Sequence, residues 1–124
     1  YVGPAPSKPG IPVGSVGPTS SYRMDKVAPT LMAHGLKGMI GKGNRNTEVI
    51  EAIKKHKCVY FAAIGGLGAM ISKSILSSEV LCYEDLGTEA IHRFWVKDFP
   101  AIVVIDAMGN NLYEIEQAKF RESE

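Results

Sequence analysis

Metal-ligand spacing, surplus charge and long apolar runs are all missing from these 124 residues, and each absence removes a class of protein. The only two cysteines, Cys58 and Cys82, have no C-x-x-C or Cys/His pattern around them. A closed metal site needs several such ligands at short intervals, so these thiols read as buried and reduced. With 14 basic and 13 acidic residues the net charge is +1, which gives no general field to recruit nucleic acid or an anionic membrane. Any attraction for anions must be local. No stretch approaches the roughly 20 apolar residues of a membrane span, and no charged segment leads into an apolar one. The chain reads as soluble and cytoplasmic, without repeats or low-complexity tracts.

What is present is ordinary globular composition, 45% hydrophobic and 22% charged, enough for one domain with a real core. Five of the seven prolines, Pro4, Pro6, Pro9, Pro12 and Pro18, crowd the first 18 residues, which are therefore extended or turning. Met24, Val27, Ala28, Leu31 and Met32 recur at helical spacing and predict a core-facing helix closed by Gly35. Pro29 either kinks that helix or falls in its first turn. Residues 38–41 read as a short strand, 42–46 as a polar loop, and 47–56 as a second helix with Val49, Ile50 and Ile53 inward. Residues 58–64 form the strongest strand. The glycines at 65–68 turn into a helix reaching Leu76, and 79–83 is a further strand. A helical turn at 88–92, a strand at 93–96, the run 101–106 and a turn at Gly109-Asn110 follow. From Ile115 the tail is charged and expected to fray. Strands alternating with helices of about ten residues argue for an α/β layer with parallel strands.

Charge and glycine-rich backbone converge in two places. Thr19, Ser20 and Ser21 follow a glycine-rich turn and precede Arg23 on the first turn of a predicted helix. Free N–H groups at a helix start carry roughly half a positive charge, and an arginine fork fits a carboxylate at two points. Capping by a hydroxyl beside an exposed arginine accounts for the same residues about equally well. Lys42 stands between Gly41 and Gly43 just past a strand, where backbone can approach a ligand and the ammonium can act as a point charge. It is not a P-loop, since Leu36 replaces the first glycine and Gly43 the magnesium-binding hydroxyl, and a solvated loop lysine is the plainer reading.

Other motifs have plainer explanations. Gly65-Gly66-Leu67-Gly68 has the wrong spacing for a dinucleotide fingerprint and reads as a tight turn. His34, His56 and His92 share no ligand spacing and lie near predicted helix ends, where a protonated ring offsets the dipole. Glu84 and Asp85 fit capping of the next turn better than a catalytic pair.

Four blocks in register are more specific than any of these motifs. Residues 17–25 (GPTSSYRMD), 35–43 (GLKGMIGKG), 59–66 (VYFAAIGG) and 83–87 (YEDLG) closely resemble the β subunit, or C-terminal domain, of class I iron–sulfur fumarate hydratases and L-tartrate dehydratases. The resemblance runs from about Tyr1 to Tyr113. It implies a swivelling β/β/α three-layer domain of α/β class at 1–114, lacking its N-terminal part, followed by a charged tail at 115–124.

It also implies a hydro-lyase that reversibly hydrates fumarate to L-malate, or dehydrates tartrate, and works only with an α subunit. That partner would hold the [4Fe-4S] cluster, whose cysteines Cys58 and Cys82 do not match. A dicarboxylate substrate and an oligomeric assembly are expected, with neither nucleic acid nor membrane as partner. Carried over by position, the proposed base falls on Thr19, the substrate-clamping arginine on Arg23 and the lysine of the G-K-G turn on Lys42. A further arginine, in a Gly-Arg-Asp segment upstream, is absent here. Removing a proton beside a carboxylate spreads charge onto it, so two cations there would favour the transition state over the ground state. A binding or assembly module without chemistry is the alternative from another class.

Overall fold

The computed structural model describes residues 8–14, 16–17, 20–63 and 68–122. They divide into two compact units, one holding residues 20–63 and 101–122, the other residues 8–14, 16–17 and 68–100. Helices and mixed sheets make the chain an α/β protein.

The first unit begins with a 3-10 turn, Ser21–Met24, followed by α1 (Ala28–Ala33), β1 (Gly38–Gly41), α2 (Thr47–His56) and β2 (Val59–Ala63). Strand β5 (Ala101–Ile105) and helix α4 (Leu112–Glu122) complete it. Strand order is β1-β2-β5. β1 and β2 are parallel, with Gly38 opposite Val59 and Gly41 opposite Ala62, and α2 supplies the crossover that parallel strands require. Asn46 starts α2 by accepting the Val49 N–H at 2.8 Å, and Lys57 ends it in the left-handed conformation. Ala28 and Met32, Val49, Ala52 and Ile53, Cys58 and Tyr60, and Val104 and Ile105 form one buried cluster between the helices and the sheet.

The second unit holds α3 (Gly68–Lys73), β3 (Ile75–Cys82), a 3-10 turn at Glu84–Glu89 and β4 (Ile91–Val96). β3 and β4 pair antiparallel, with Glu79 opposite Arg93.

Several expectations hold. Residues 38–41 are a strand and 47–56 a helix, as the local pattern predicts. Others fail for identifiable reasons. The helix expected from Met24 becomes a 3-10 turn and a late-starting α1, because Pro29, in the first turn, has no N–H to bond the Asp25 carbonyl. Val27 and Leu31 are consequently 46% and 48% exposed instead of core. Helix α3 stops at Lys73, where Ser74 Oγ turns back to the Ile71 carbonyl at 2.6 Å, and Ile75 joins the ladder opposite Val96.

β5 runs antiparallel to β2, so the sheet is mixed where parallel strands were expected. The charged segment after Ile115 belongs to helix α4, which continues through Glu122. The helical turn expected at 88–92 lies at Glu84–Glu89, which puts His92 in β4 rather than at a helix end. Glu84 and Asp85 sit in the first turn of that 3-10 segment, where no side chain caps it. Cys58 is buried as expected, but Cys82 is exposed, because a two-stranded ribbon cannot enclose both of its faces. Among the described residues no helix is long and apolar enough to cross a membrane.

Candidate functional site

The turn carrying Arg23 and the loop carrying Lys42 are neighbours in space. Ser20 and Lys42 form a parallel bridge, in which the Ser21 N–H donates to the Lys42 carbonyl at 3.1 Å. The Lys42 N–H returns a bond to Ser21 Oγ, also at 3.1 Å. This junction lies at the C-terminal end of β1, the end of a parallel strand where open α/β sheets place ligands. Arg23 and Lys42 themselves are exposed.

Glycine at 41 is a steric requirement here. A Cβ on Gly41 would overlap Ser21 Oγ and come within 3.3 Å of the Tyr60 hydroxyl. The Tyr60 hydroxyl lies 3.0 Å from Ser21 Oγ and 2.8 Å from the Gly43 carbonyl. A phenol has one proton and the carbonyl can only accept, so Tyr60 donates to Gly43 and the Ser21 hydroxyl donates to Tyr60. Burial, the largest influence, raises the Tyr60 phenol above its ordinary value, with the Ser21 hydrogen bond opposing that rise. Tyr60 therefore remains a protonated donor well into the alkaline range.

A buried ion pair braces the same loop from the other side. Arg45 Nε donates to Asp25 Oδ1 at 2.6 Å, and the Asn46 N–H donates to Asp25 Oδ2 at 2.8 Å. The Arg45 guanidinium also lies 4.9 Å from the centre of the Tyr60 ring, within range of a cation–π attraction. Asn44 Oδ1 accepts from the Arg45 N–H and from Asn111 Nδ2, while the Gly43 N–H donates to the Tyr113 hydroxyl at 3.2 Å.

Several backbone N–H groups at the expected anion site are already bonded. The Ser21, Arg23, Lys42 and Gly43 N–H groups all have protein partners. A four-residue 3-10 turn also lacks the aligned peptides of a true helix start. These four N–H groups are therefore not free for an anion, whereas the Arg23 and Lys42 side chains are exposed. A nearby cleft of about 250 Å³ is apolar, lined mainly by Met24, Val27, Leu31, Leu36, Met39 and Ile40. Ser21 and Arg45 add polar groups to its lining, which does not include Arg23 or Lys42.

Thr19 lies outside the described residues, as do Gly65, Gly66 and Leu67 of the glycine turn. The roles of Asp25, Arg45 and Tyr60 escaped sequence reasoning. Only Gly41, a glycine abutting a lysine at a strand end, hinted that another segment passes close by. The residues present do not fit an iron–sulfur cluster. Cys58 Sγ donates to the Leu36 carbonyl at 3.1 Å, Cys82 is exposed, and no group of three His, Cys, Asp or Glu stands ready for a metal among the described residues.

The family described as Fumarase C-terminus matches residues 1–116, and the chain belongs to it. Similar proteins include the anaerobic class I fumarate hydratase of Escherichia coli, 41% identical over 116 residues, covering 92% of this chain and 21% of that protein. Fumarate hydratase 2 of Leishmania major is 41% identical over 115 residues, covering 91% of this chain and 20% of the relative. A Methanocaldococcus jannaschii protein, named as a candidate L(+)-tartrate dehydratase β subunit, is 34% identical over 104 residues, covering 81% of this chain and 53% of its own length. The chain spans about one fifth of the length of the fumarate hydratases it matches.

Proposed function

We propose that this chain is the carboxylate-binding part of a hydro-lyase that interconverts fumarate and L-malate. Membership of the family over 116 residues carries the reading. The bridge that sets the Arg23 turn beside the Lys42 loop supports it. In the dehydration direction a proton leaves the carbon beside one carboxylate, and negative charge builds on that carboxylate. Arg23 and Lys42, both exposed and carried on adjoining segments, supply cations for the two ends of a dicarboxylate. They lower the barrier to the extent that they hold the charge-enriched carboxylate more tightly than the ground state.

Thr19 is the proposed base. A threonine hydroxyl has a high pKa and needs neighbouring cations to give up its proton. The [4Fe-4S] cluster belongs, on this reading, to an α subunit or domain, which the residues of this chain complement without ligating iron. Activity then requires that partner. The similarity to a protein named for tartrate dehydratase favours one second reading, L-tartrate as substrate, since it too presents two carboxylates.

The test is anaerobic assembly of this chain with the α part, followed by assays of fumarate hydration and tartrate dehydration. Oxygen-sensitive turnover of either substrate is expected, and Arg23→Ala should lower kcat/KM by about 100-fold or more. Full turnover by the Arg23→Ala complex would overturn the clamp. Assembly without turnover would leave a binding module.

A further inference from the structure

We infer that the Ser21 and Tyr60 hydroxyls are positioning residues that fix the Lys42 loop against the Arg23 turn and thereby set the spacing of the two cations for a dicarboxylate. The inference rests on the dicarboxylate reading above and adds the device that makes the spacing definite.

Arg23 and Lys42 are long, exposed side chains, so their geometry depends on how firmly the backbone beneath each is held. Ser21 is two residues from Arg23 and accepts the N–H of Lys42 itself. Tyr60 reaches the next residue of the loop, Gly43, through its carbonyl. The two hydroxyls also touch each other at 3.0 Å, so turn, loop and strand β2 meet at one point.

Buried groups enclose that point, with Ser21, Asp25, Arg45 and Tyr60 each at most 6% exposed. Tyr60 is fully buried in β2, with Arg45 against its ring. Arg45 is in turn fixed by Asp25 of the segment that follows the Arg23 turn. The absence of a side chain at Gly41 admits the Ser21 hydroxyl, so the contact belongs to the design of the strand end. A buried tyrosine needs some hydrogen-bond partner in any fold. Both partners here lie on the two cation-bearing segments.

The test uses the assembled hydro-lyase carrying Tyr60→Phe, Ser21→Ala or, as a control in the same core, Ile53→Val. Tyr60→Phe keeps the ring and its stacking on Arg45 while removing only the hydroxyl. Two readouts are needed: KM and kcat for fumarate alongside inhibition by crotonate, which offers a single carboxylate, and amide hydrogen exchange across residues 41–45.

Each hydroxyl variant should raise KM about tenfold, with kcat changed less than threefold and crotonate inhibition changed less than twofold. Exchange at 41–45 should accelerate. Ile53→Val should leave all of these within twofold of the parent. An unchanged KM, unchanged loop exchange, an equal loss of crotonate binding, or the same KM rise in Ile53→Val would overturn the inference. A parent complex inactive on both dicarboxylates would instead overturn the hydro-lyase reading, and with it the substrate half of the inference, while loop exchange still decides whether the hydroxyls hold the loop.

Discussion

Arg45 and Asp25 in the sheet-bearing unit meet at 2.6 Å with side chains 2% and 7% exposed, whereas Arg93 and Glu79 on the β3–β4 ribbon meet at 2.9 Å with 61% and 57% exposed. The pairing chemistry is the same, but solvent divides the consequences. Water screens the ribbon pair, and ordering two long side chains offsets most of what their attraction gains. The enclosed pair has lost its hydration, so each member depends on the other and on the Asn46 N–H. Its position suits the definition of loop geometry more than bulk stability, since it ties the segment after Arg23 to the loop after Lys42. Among the described residues the ribbon shows no comparable buried ion pair. Leu76, Val80, Leu81, Ile91, Trp95 and Val96 along it are all exposed.

Breaking the enclosed pair should produce the largest effect. Arg45→Ala or Asp25→Ala leaves a buried charge without its partner, and denaturant titration should show a loss of about 3–5 kcal/mol. Gly41→Ala should cost about 1–3 kcal/mol, as expected for a side chain forced into filled space. Combining it with Ser21→Gly, which removes the obstructing hydroxyl, should recover part of that loss. If Gly41→Ala alone proved neutral, the close approach at the strand end would be wrong.

Tyr60→Phe should cost about 1 kcal/mol at neutral pH through lost hydrogen bonding, and its pH dependence sharpens the contrast further. Burial raises the Tyr60 phenol above 10.0 in the folded protein. The stability this contributes is complete below pH 10 and is lost as pH rises through the native pKa. Thermal unfolding followed from pH 8 to 11 should therefore show a shallower alkaline decline in Tyr60→Phe than in the parent. The smallest effect is expected on the ribbon, where Glu79→Gln should change stability by less than about 1 kcal/mol, and by still less at high salt. A large loss there would mean that exposure fails to separate the two pairs.

The sequence alone determined the elements whose causes are local. α2 could be read to its residues because Asn46 caps it and Val49 and Ile53 recur at helical spacing. β1 could be read because glycine and apolar residues bound a four-residue run. Family membership was legible in four blocks, and Arg23 and Lys42 stood out as cations set in glycine-rich backbone.

Only the tertiary structure decided the rest. The direction of β5 against β2 and the start of β3 at Ile75 depend on partner strands distant in the chain. The meeting of Asp25, Arg45, Tyr60 and Ser21 spans up to 39 positions. No local pattern marks it, because a buried charge or hydroxyl is chosen by what it faces after folding, while its neighbours in sequence record only helix, strand and turn.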